Sequence, residues 1–187
     1  MPVIPLGIHT EDFAFTSQQK RKARERLGVN NSELVVLYTG RLSFHAKAHP
    51  LQMYQALEAS AKKTSKKLVL IECGWFANHY IQDAFSIAAK KVCPSVRVLN
   101  LDGRIQKERE KAWGSADIFC SLSDNIQETF GIVPLEGMAA GLPVVVSDWN
   151  GYKDSVADGV EGFRIPSIAP ESGMEADLAY RHAMGID

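Results

Sequence analysis

The chain has 187 residues, 45% of them hydrophobic and 23% charged, which is typical of a globular domain with a sizeable core. Its formal net charge of −1 gives no global reason to expect nucleic acid or an anionic membrane surface as a partner. Three widely spaced cysteines indicate neither a disulfide framework nor a zinc site, and no apolar run approaches the roughly 20 residues that span a bilayer. We therefore expect a cytoplasmic protein.

The predicted elements alternate between helices and strands along the chain. Residues 1–16 read as an extended lead-in, and 17–27 as a basic helix with Ser17 at its N-cap and Gly28 at its end. The apolar run 34–39 predicts a strand that is buried on both faces and stops before Gly40. Further strands are predicted at 68–71, 96–99, 117–120, 144–147 and 162–165, and further helices at 50–63, 78–92, 105–113, from near 131, and at 152–156.

Strands that alternate with helices through short connections indicate right-handed crossovers and a parallel sheet covered on both faces. We therefore predict an α/β fold: a doubly wound, Rossmann-like parallel sheet of about six strands. The predicted domain covers residues 17–166, after the lead-in at 1–16. Residues 167–187 are expected to be a truncated C-terminal tail.

The stretch from 124 to 148 carries two glutamates eight positions apart, Glu128 and Glu136. Pro134 lacks an N–H group and suits a helix's first turn, so we expect the helix to begin near Gly131, with Glu128 in the loop before it. Four apolar residues at helical spacing predict its buried face, and Glu136 lies beside them. This stripe consists of Ile132, Leu135, Ala139 and Leu142.

Charged residues follow the first and fourth strands, where ligands of open parallel sheets bind. Gly40 allows close backbone approach, while Arg41 and Lys47 supply positive charge. Together with the N–H groups at residues 130–132 they could hold a diphosphate. Two carboxylates would repel phosphate, so we expect them to accept hydrogen bonds from sugar hydroxyls. The predicted ligand is a nucleotide sugar.

Four segments resemble the motifs of one enzyme family, the family 4 retaining glycosyltransferases. GRLSFHAK is similar to its Gly-Arg-Leu…Lys motif, and ETFGIVPLEGMAAGLPVVVSD to its Glu-x7-Glu motif. VIPLGIHTEDF resembles the hinge into the second domain of the GT-B fold, and NGYKDSVADGVEGFRI the segment after the motif. The family usually has glycine after the lysine, where this sequence has Ala48, and the spacer from arginine to lysine is one residue longer here.

The resemblance implies a role for each matched residue. Glu128, Arg41 and Lys47 would form the catalytic set, in which Arg41 and Lys47 contact the donor diphosphate and Glu128 holds the donor sugar. Glu136 would bind the ribose hydroxyls. The implied donor-binding set is Gly40, Arg41, Lys47, Glu128, Phe130, Gly131, Ile132, Val133 and Glu136.

The resemblance also implies the function and partners. The chain is expected to be the C-terminal, donor-binding domain of a hexosyltransferase that uses a nucleotide-diphosphate sugar and an unknown acceptor. The acceptor-binding domain would be missing, so the fragment alone is expected to be inactive. We expect no metal, no further cofactor, no nucleic acid partner and no transmembrane segment. Peripheral membrane contact of the full-length protein stays open.

Two other functions are compatible with parts of this sequence. An inactive nucleotide-binding module would share the same fold and charges. A nicotinamide dehydrogenase is weakly supported, because strand one is followed by TGRLS and not by Gly-x-Gly-x-x-Gly. His45 and His49 bracket Lys47 and could be metal ligands, although ordinary loop histidines are favoured. Trp75 and Trp149 could line the ligand cleft or pack at the sheet rim.

Overall fold

The computed structural model describes residues 7–168 except 124, 126, 127 and 129. The first part of the predicted lead-in and nearly all of the predicted C-terminal tail lie outside the described residues.

Six strands form one sheet in which every neighbouring pair runs parallel, in the order β3-β2-β1-β4-β5-β6. The predicted doubly wound, Rossmann-like sheet is therefore confirmed. Among the described residues, every helix is too short or too polar to cross a bilayer. The strands are β1 Leu34–Leu42, β2 Leu68–Phe76, β3 Val96–Asp102, β4 Ile118–Ser121, β5 Val144–Ser147 and β6 Gly162–Ile165. The helices are α1 Ser17–Arg26, α2 Pro50–Thr64, α3 His79–Val92, α4 Gln106–Ser115, α5 Ile132–Ala139 and α6 Tyr152–Ser155.

Two hydrophobic cores lie on opposite faces of the sheet. Alternate residues of β1 supply them: Val35 and Leu37 pack with residues of α4, α5 and α6, and Val36 and Tyr38 pack with residues of α2 and α3. This alternation is the period of a strand buried on both sides. The covered sheet leaves the carboxyl ends of its strands as the place where polar side chains can collect.

Strand β1 is longer than predicted. It runs to Leu42, so Gly40 and Arg41 lie within the strand and not after it. The reason is its neighbour β2, which continues to Phe76 and pairs Gly74 with Gly40. A Cβ atom on Gly74 would collide with the Gly40 carbonyl oxygen, so glycine allows the two strands to stay paired here.

The N-terminal segment corrects two predictions. Thr10–Phe13 forms a 3-10 helix within the predicted extended lead-in, and Phe13 packs edge-on against Trp113 with ring centroids 5.6 Å apart. The N-cap of α1 is Thr16 and not Ser17. Thr16 and Gln19 form a capping box, in which each side chain bonds the other's backbone, and this reciprocal pair fixes the helix start one residue earlier.

Helix α5 begins after Gly131, as predicted, but the predicted apolar stripe is wrong. Its members within the helix are only half-buried: Ile132, Leu135 and Ala139. The buried side is made of smaller residues three positions apart: Gly131, Pro134, Gly137 and Ala140. A Cβ atom on Gly137 would lie 3.1 Å from Cβ of Phe119 and 3.2 Å from Cγ1 of Val144. Small residues face the sheet because the helix packs directly on β4 and β5.

One carboxylate lies inside the sheet. Glu72 of β2 is 1% exposed, accepts a 2.5 Å hydrogen bond from the Tyr54 hydroxyl and a 2.7 Å bond from the Asn100 amide. Burial raises the pKa of Glu72, and the two hydrogen bonds lower it in part. Both carboxylate oxygens thus have donors, which is the condition for tolerating such a group in a core.

Candidate functional site

The strand order reverses between β1 and β4, which is where open α/β sheets bind ligands. Lys47 lies in the loop between β1 and α2, and Glu128 lies in the segment between β4 and α5. Their side chains meet in an ion pair between Lys47 Nζ and Glu128 Oε2, with only 20% and 10% of the side chains exposed. The structure therefore joins two of the predicted site residues directly.

The ion pair changes how the charges of the site balance. A carboxylate beside a diphosphate would repel it, and the prediction gave Lys47 to the diphosphate and Glu128 to the sugar. In the structure the Lys47 ammonium lies against the Glu128 carboxylate and neutralises it. A second cation is then needed to give the site a net positive charge. Arg41, near the end of β1, has an exposed side chain that can supply it.

Hydrogen bonds from neighbouring loops fix both the carboxylate and the backbone of Glu128. The hydroxyl of Ser123, which is fully buried, donates to Glu128 Oε2 at 3.2 Å, and its other acceptor is the Lys47 carbonyl oxygen at 3.3 Å. The Gly151 amide donates to the Glu128 carbonyl oxygen at 3.4 Å. Loops after β1, β4 and β5 therefore converge on this glutamate.

The N-terminus of α5 opens beside the ion pair. Gly131 is the N-cap residue, has φ of 72°, and provides no side-chain cap for the first turn. The first-turn N–H groups of Ile132 and Val133 thus retain the partial positive charge of a helix start, whereas Pro134 has no N–H to offer. Phe130, Ile132 and Val133 are half-buried. This geometry fits the predicted anion-binding role of these backbone groups.

The strand end that carries Arg41 is shaped by its own backbone. Gly40 has φ of 148°, and a Cβ atom there would lie 3.1 Å from the Tyr38 hydroxyl. That hydroxyl donates to the Arg41 carbonyl oxygen at 3.1 Å. Glycine at position 40 therefore leaves room for the Tyr38 hydroxyl, which fixes the backbone of Arg41 at the edge of the site.

Glu136 lies in α5, about one turn beyond the helix start, and is half-buried. Burial raises the pKa of Glu136, and the positive charge of Arg109 on α4 lowers it in part. Arg109 itself donates to the Gly103 carbonyl oxygen at 2.7 Å, in the loop after β3. The second glutamate thus lies near a cation that the sequence interpretation did not consider.

His49 and Trp149 make structural contacts, whereas Trp75 borders a cavity. His49 Nδ1 accepts from the Leu51 amide at 3.4 Å and caps α2. Trp149 Nε1 donates to the Asn125 carbonyl oxygen at 3.0 Å, and Trp75 lines a cavity of about 540 Å³ at the ends of β2 and β3. In the part of the chain that the structure describes, no three His, Cys, Asp or Glu side chains group as metal ligands.

Sequence reasoning missed the buried hydroxyls behind Glu128. Tyr152 is 1% exposed, and its hydroxyl lies 2.9 Å from Oγ of Ser121. Ser147 Oγ donates to the Ser123 carbonyl oxygen. The signal was present in the polar residues that follow β4 and β5, because these strands are neighbours and their carboxyl ends share one edge.

Comparison of the sequence with protein families identifies the family of this chain. The sequence profile of the family described as "Glycosyl transferases group 1" matches residues 19–176. The chain belongs to this family. The family assignment confirms the glycosyltransferase resemblance, and the fold agrees with the predicted C-terminal half of a GT-B enzyme.

Curated relatives of this group 1 glycosyl transferase chain are distant. An uncharacterized glycosyltransferase of Methanocaldococcus jannaschii is 27% identical over 172 residues, covering 91% of this chain and 42% of the relative. D-inositol 3-phosphate glycosyltransferase of Segniliparus rotundus is 28% identical over 177 residues, covering 95% of this chain and 38% of the relative. The chain therefore spans less than half the length of these relatives.

Solved structures share the fold. HepE of Anabaena, crystallised in complex with UDP-glucose, superimposes with a TM-score of 0.67 at 22% identity, over 96% of this chain and 47% of HepE. The C-terminal domain of the group 1 glycosyl transferase LpcC from Francisella tularensis gives a TM-score of 0.66 at 17% identity, over 96% of this chain and 88% of that domain. The group 1 chain thus matches one domain of such enzymes.

Proposed function

We propose that this chain is the donor-binding domain of a retaining hexosyltransferase that transfers a sugar from a nucleotide-diphosphate sugar to an acceptor. The observation that carries the proposal is the Lys47–Glu128 pair beside the uncapped start of α5, at the reversal point of the sheet. Family membership supports transferase chemistry, and the UDP-glucose complex of HepE supports this class of donor.

The proposed donor lies across the ends of β1 and β4. Its diphosphate contacts Arg41, Lys47 and the first N–H groups of α5, and its sugar hydroxyls donate to Glu128. The ribose hydroxyls donate to Glu136. When the donor enters, the Lys47 ammonium is shared between the Glu128 carboxylate and the incoming phosphate oxygens.

The chemical step we propose is electrostatic. The bond between the anomeric carbon and the diphosphate oxygen breaks, and its electron pair stays on the diphosphate. An acceptor hydroxyl oxygen bonds the anomeric carbon, and its proton passes to an oxygen of the departing diphosphate. Arg41, Lys47 and the helix start stabilise the negative charge that develops on the leaving group. Retention of configuration, independence from metal ions and a cytoplasmic location are parts of this proposal.

We also propose that the 187-residue chain alone binds donor without transferring the sugar. This follows from its matching less than half of the relatives' length, since the acceptor would bind another domain. The inactive nucleotide-binding module stays the second candidate function, and transfer by a longer form of the protein would separate the two.

Calorimetric titration tests the donor site. UDP, ADP, GDP and their glucose conjugates are titrated into the wild type, Lys47→Met and Lys63→Met. Lys63 is exposed on α2, so its substitution removes the same charge away from the site. We expect one nucleotide series to bind the wild type and the Lys63 variant alike, and the Lys47 variant to lose about tenfold or more in affinity. A folded wild type that binds none of these nucleotides at millimolar concentration would refute the proposal, and NADH binding would favour a dehydrogenase.

A further inference from the structure

A cluster of four buried hydroxyl groups lies behind Glu128, outside the donor contacts proposed for the site. We call it the hydroxyl cluster. Its members are between fully buried and 4% exposed: Ser121, Ser123, Ser147 and Tyr152. Ser121 is the last residue of β4, Ser123 lies in the loop after it, Ser147 is the last residue of β5, and Tyr152 begins α6. The cluster thus connects two strand ends beneath the site.

Tyr152 contacts both the start of α5 and the end of β4. Its ring lies so close to Gly131 that a Cβ atom there would overlap ring carbons Cδ1 and Cε1. Its hydroxyl is 2.9 Å from Ser121 Oγ. Burial raises the pKa of Tyr152, its hydrogen bond with Ser121 lowers it in part, and the negative charge of Glu128 raises it again. The phenol therefore stays neutral, with its hydroxyl near the negative charge of Glu128.

Ser123 links Glu128 to the loop that carries Lys47. Its hydroxyl proton can reach Glu128 Oε2 at 3.2 Å or the Lys47 carbonyl oxygen at 3.3 Å. Its own backbone is held by the Ser147 hydroxyl. Ser123 is fully buried, so no solvent competes for these bonds. Replacement of Ser123 would therefore alter hydrogen bonds of both Lys47 and Glu128 and keep both charges in place.

We propose that Tyr152 and Ser123 are positioning residues that orient the Glu128 carboxylate towards the donor sugar. The inference rests on the proposed function of the site. Without these hydroxyl groups, the Lys47 ammonium would be the one fixed partner of the carboxylate among the described residues, and the carboxylate would turn towards that charge and away from the sugar. Losing a hydrogen bond to a charged group then lowers the affinity for the sugar part of the donor and leaves the diphosphate contacts in place.

The test separates the sugar from the nucleotide. Dissociation constants are measured by calorimetry for the nucleoside diphosphate that binds the wild type and for its glucose conjugate, and their ratio gives the contribution of the sugar. Tyr152→Phe removes one oxygen and keeps the ring on Gly131. Ser123→Ala is the second variant, and Ser123→Thr restores a hydroxyl. Tyr54→Phe is the matched control, because Tyr54 is also a buried tyrosine bonded to a carboxylate, in the core on the opposite face of the sheet from Tyr152.

We expect Tyr152→Phe and Ser123→Ala to reduce the ratio about tenfold while nucleoside diphosphate affinity changes by less than about threefold, with partial recovery in Ser123→Thr. Tyr54→Phe should lower the melting temperature and leave the ratio unchanged. An unchanged ratio in folded Tyr152→Phe overturns the inference, and if that variant does not fold, Ser123→Ala decides. A wild type that binds no nucleotide refutes the proposed function itself. A wild type that binds both ligands equally removes the sugar-binding role of Glu128, and the inference fails with it.

Discussion

Replacement of Gly131 by alanine tests the construction of the helix start at the site. Gly131 has φ of 72°, a backbone conformation that side chains rarely adopt, and its α-carbon lies against the ring of Tyr152. An added methyl group therefore meets two obstacles. The first is backbone strain, and the second is overlap with a ring that is 1% exposed and bonded through its hydroxyl.

The two obstacles can be separated because α5 has a second such glycine at its other end. Gly141 has φ of 73°, and a Cβ atom there would have nothing within 4 Å. Gly141→Ala should therefore show the strain alone, about 1 kcal/mol. Gly131→Ala should add the cost of overpacking, about 1–3 kcal/mol, for a total of about 2–4 kcal/mol.

Urea unfolding, followed by tryptophan fluorescence, gives the free energy of unfolding for the wild type and both variants. For a chain of this size we expect the melting temperature of Gly131→Ala to fall by about 4–16 °C, against about 2–4 °C for Gly141→Ala. Equal losses in the two variants would refute the reasoning, because they would mean that the Tyr152 ring does not press on the helix start.

Three further predictions concern charged groups. The hydrogen bond from the Ser95 amide holds the pKa of Glu58 below its ordinary value of 4.5. The wild type should therefore be more stable than Glu58→Gln at neutral pH, and this difference should disappear as the pH falls through the lowered pKa. Unfolding curves recorded across acid pH measure it. Asp117→Asn should lower the free energy of unfolding in urea by about 1–3 kcal/mol, because Asp117 binds the mostly buried Arg24 guanidinium; a loss within error of zero would contradict this. Burial raises the pKa of Glu136, so nucleotide affinity should fall as the pH is lowered through that raised value, and calorimetry should find a flatter pH profile in Glu136→Gln.

The sheet was predictable because its signals are local. Buried parallel strands appear as short apolar runs, and the runs at β5 and β6 gave the observed bounds. The ends of β1 and β2 were not predicted because the last residues of both strands include glycines. Gly40 and Gly74 suggest a turn when they are read alone, whereas in the fold they lie side by side in paired strands. Strand ends of this kind depend on the partner strand.

The charged residues of the site could be predicted from the sequence, whereas the contacts that hold them in place could not. Glu128 and Lys47 stand 81 positions apart, and their direct contact depends on which strands become neighbours. The apolar stripe of α5 was wrong for a related reason. The period of three and four favoured large residues, but the closest approach to the sheet selects small ones such as Gly137. Close packing therefore inverted the usual relation between side-chain size and burial.

The carboxylate inside the sheet has a consequence for how the chain finds its fold. Glu72 pairs with Asn100 across the sheet, and Tyr54 reaches it from α2. If β2 and β3 slipped by one residue, the side chain of Glu72 would turn into the opposite apolar core, where neither donor could follow. Leucine at this position would tolerate that mistake, whereas a carboxylate makes the misaligned sheet costly. Glu72 thus discriminates against wrong alignments of β2 with β3, next to the strand that borders the donor site.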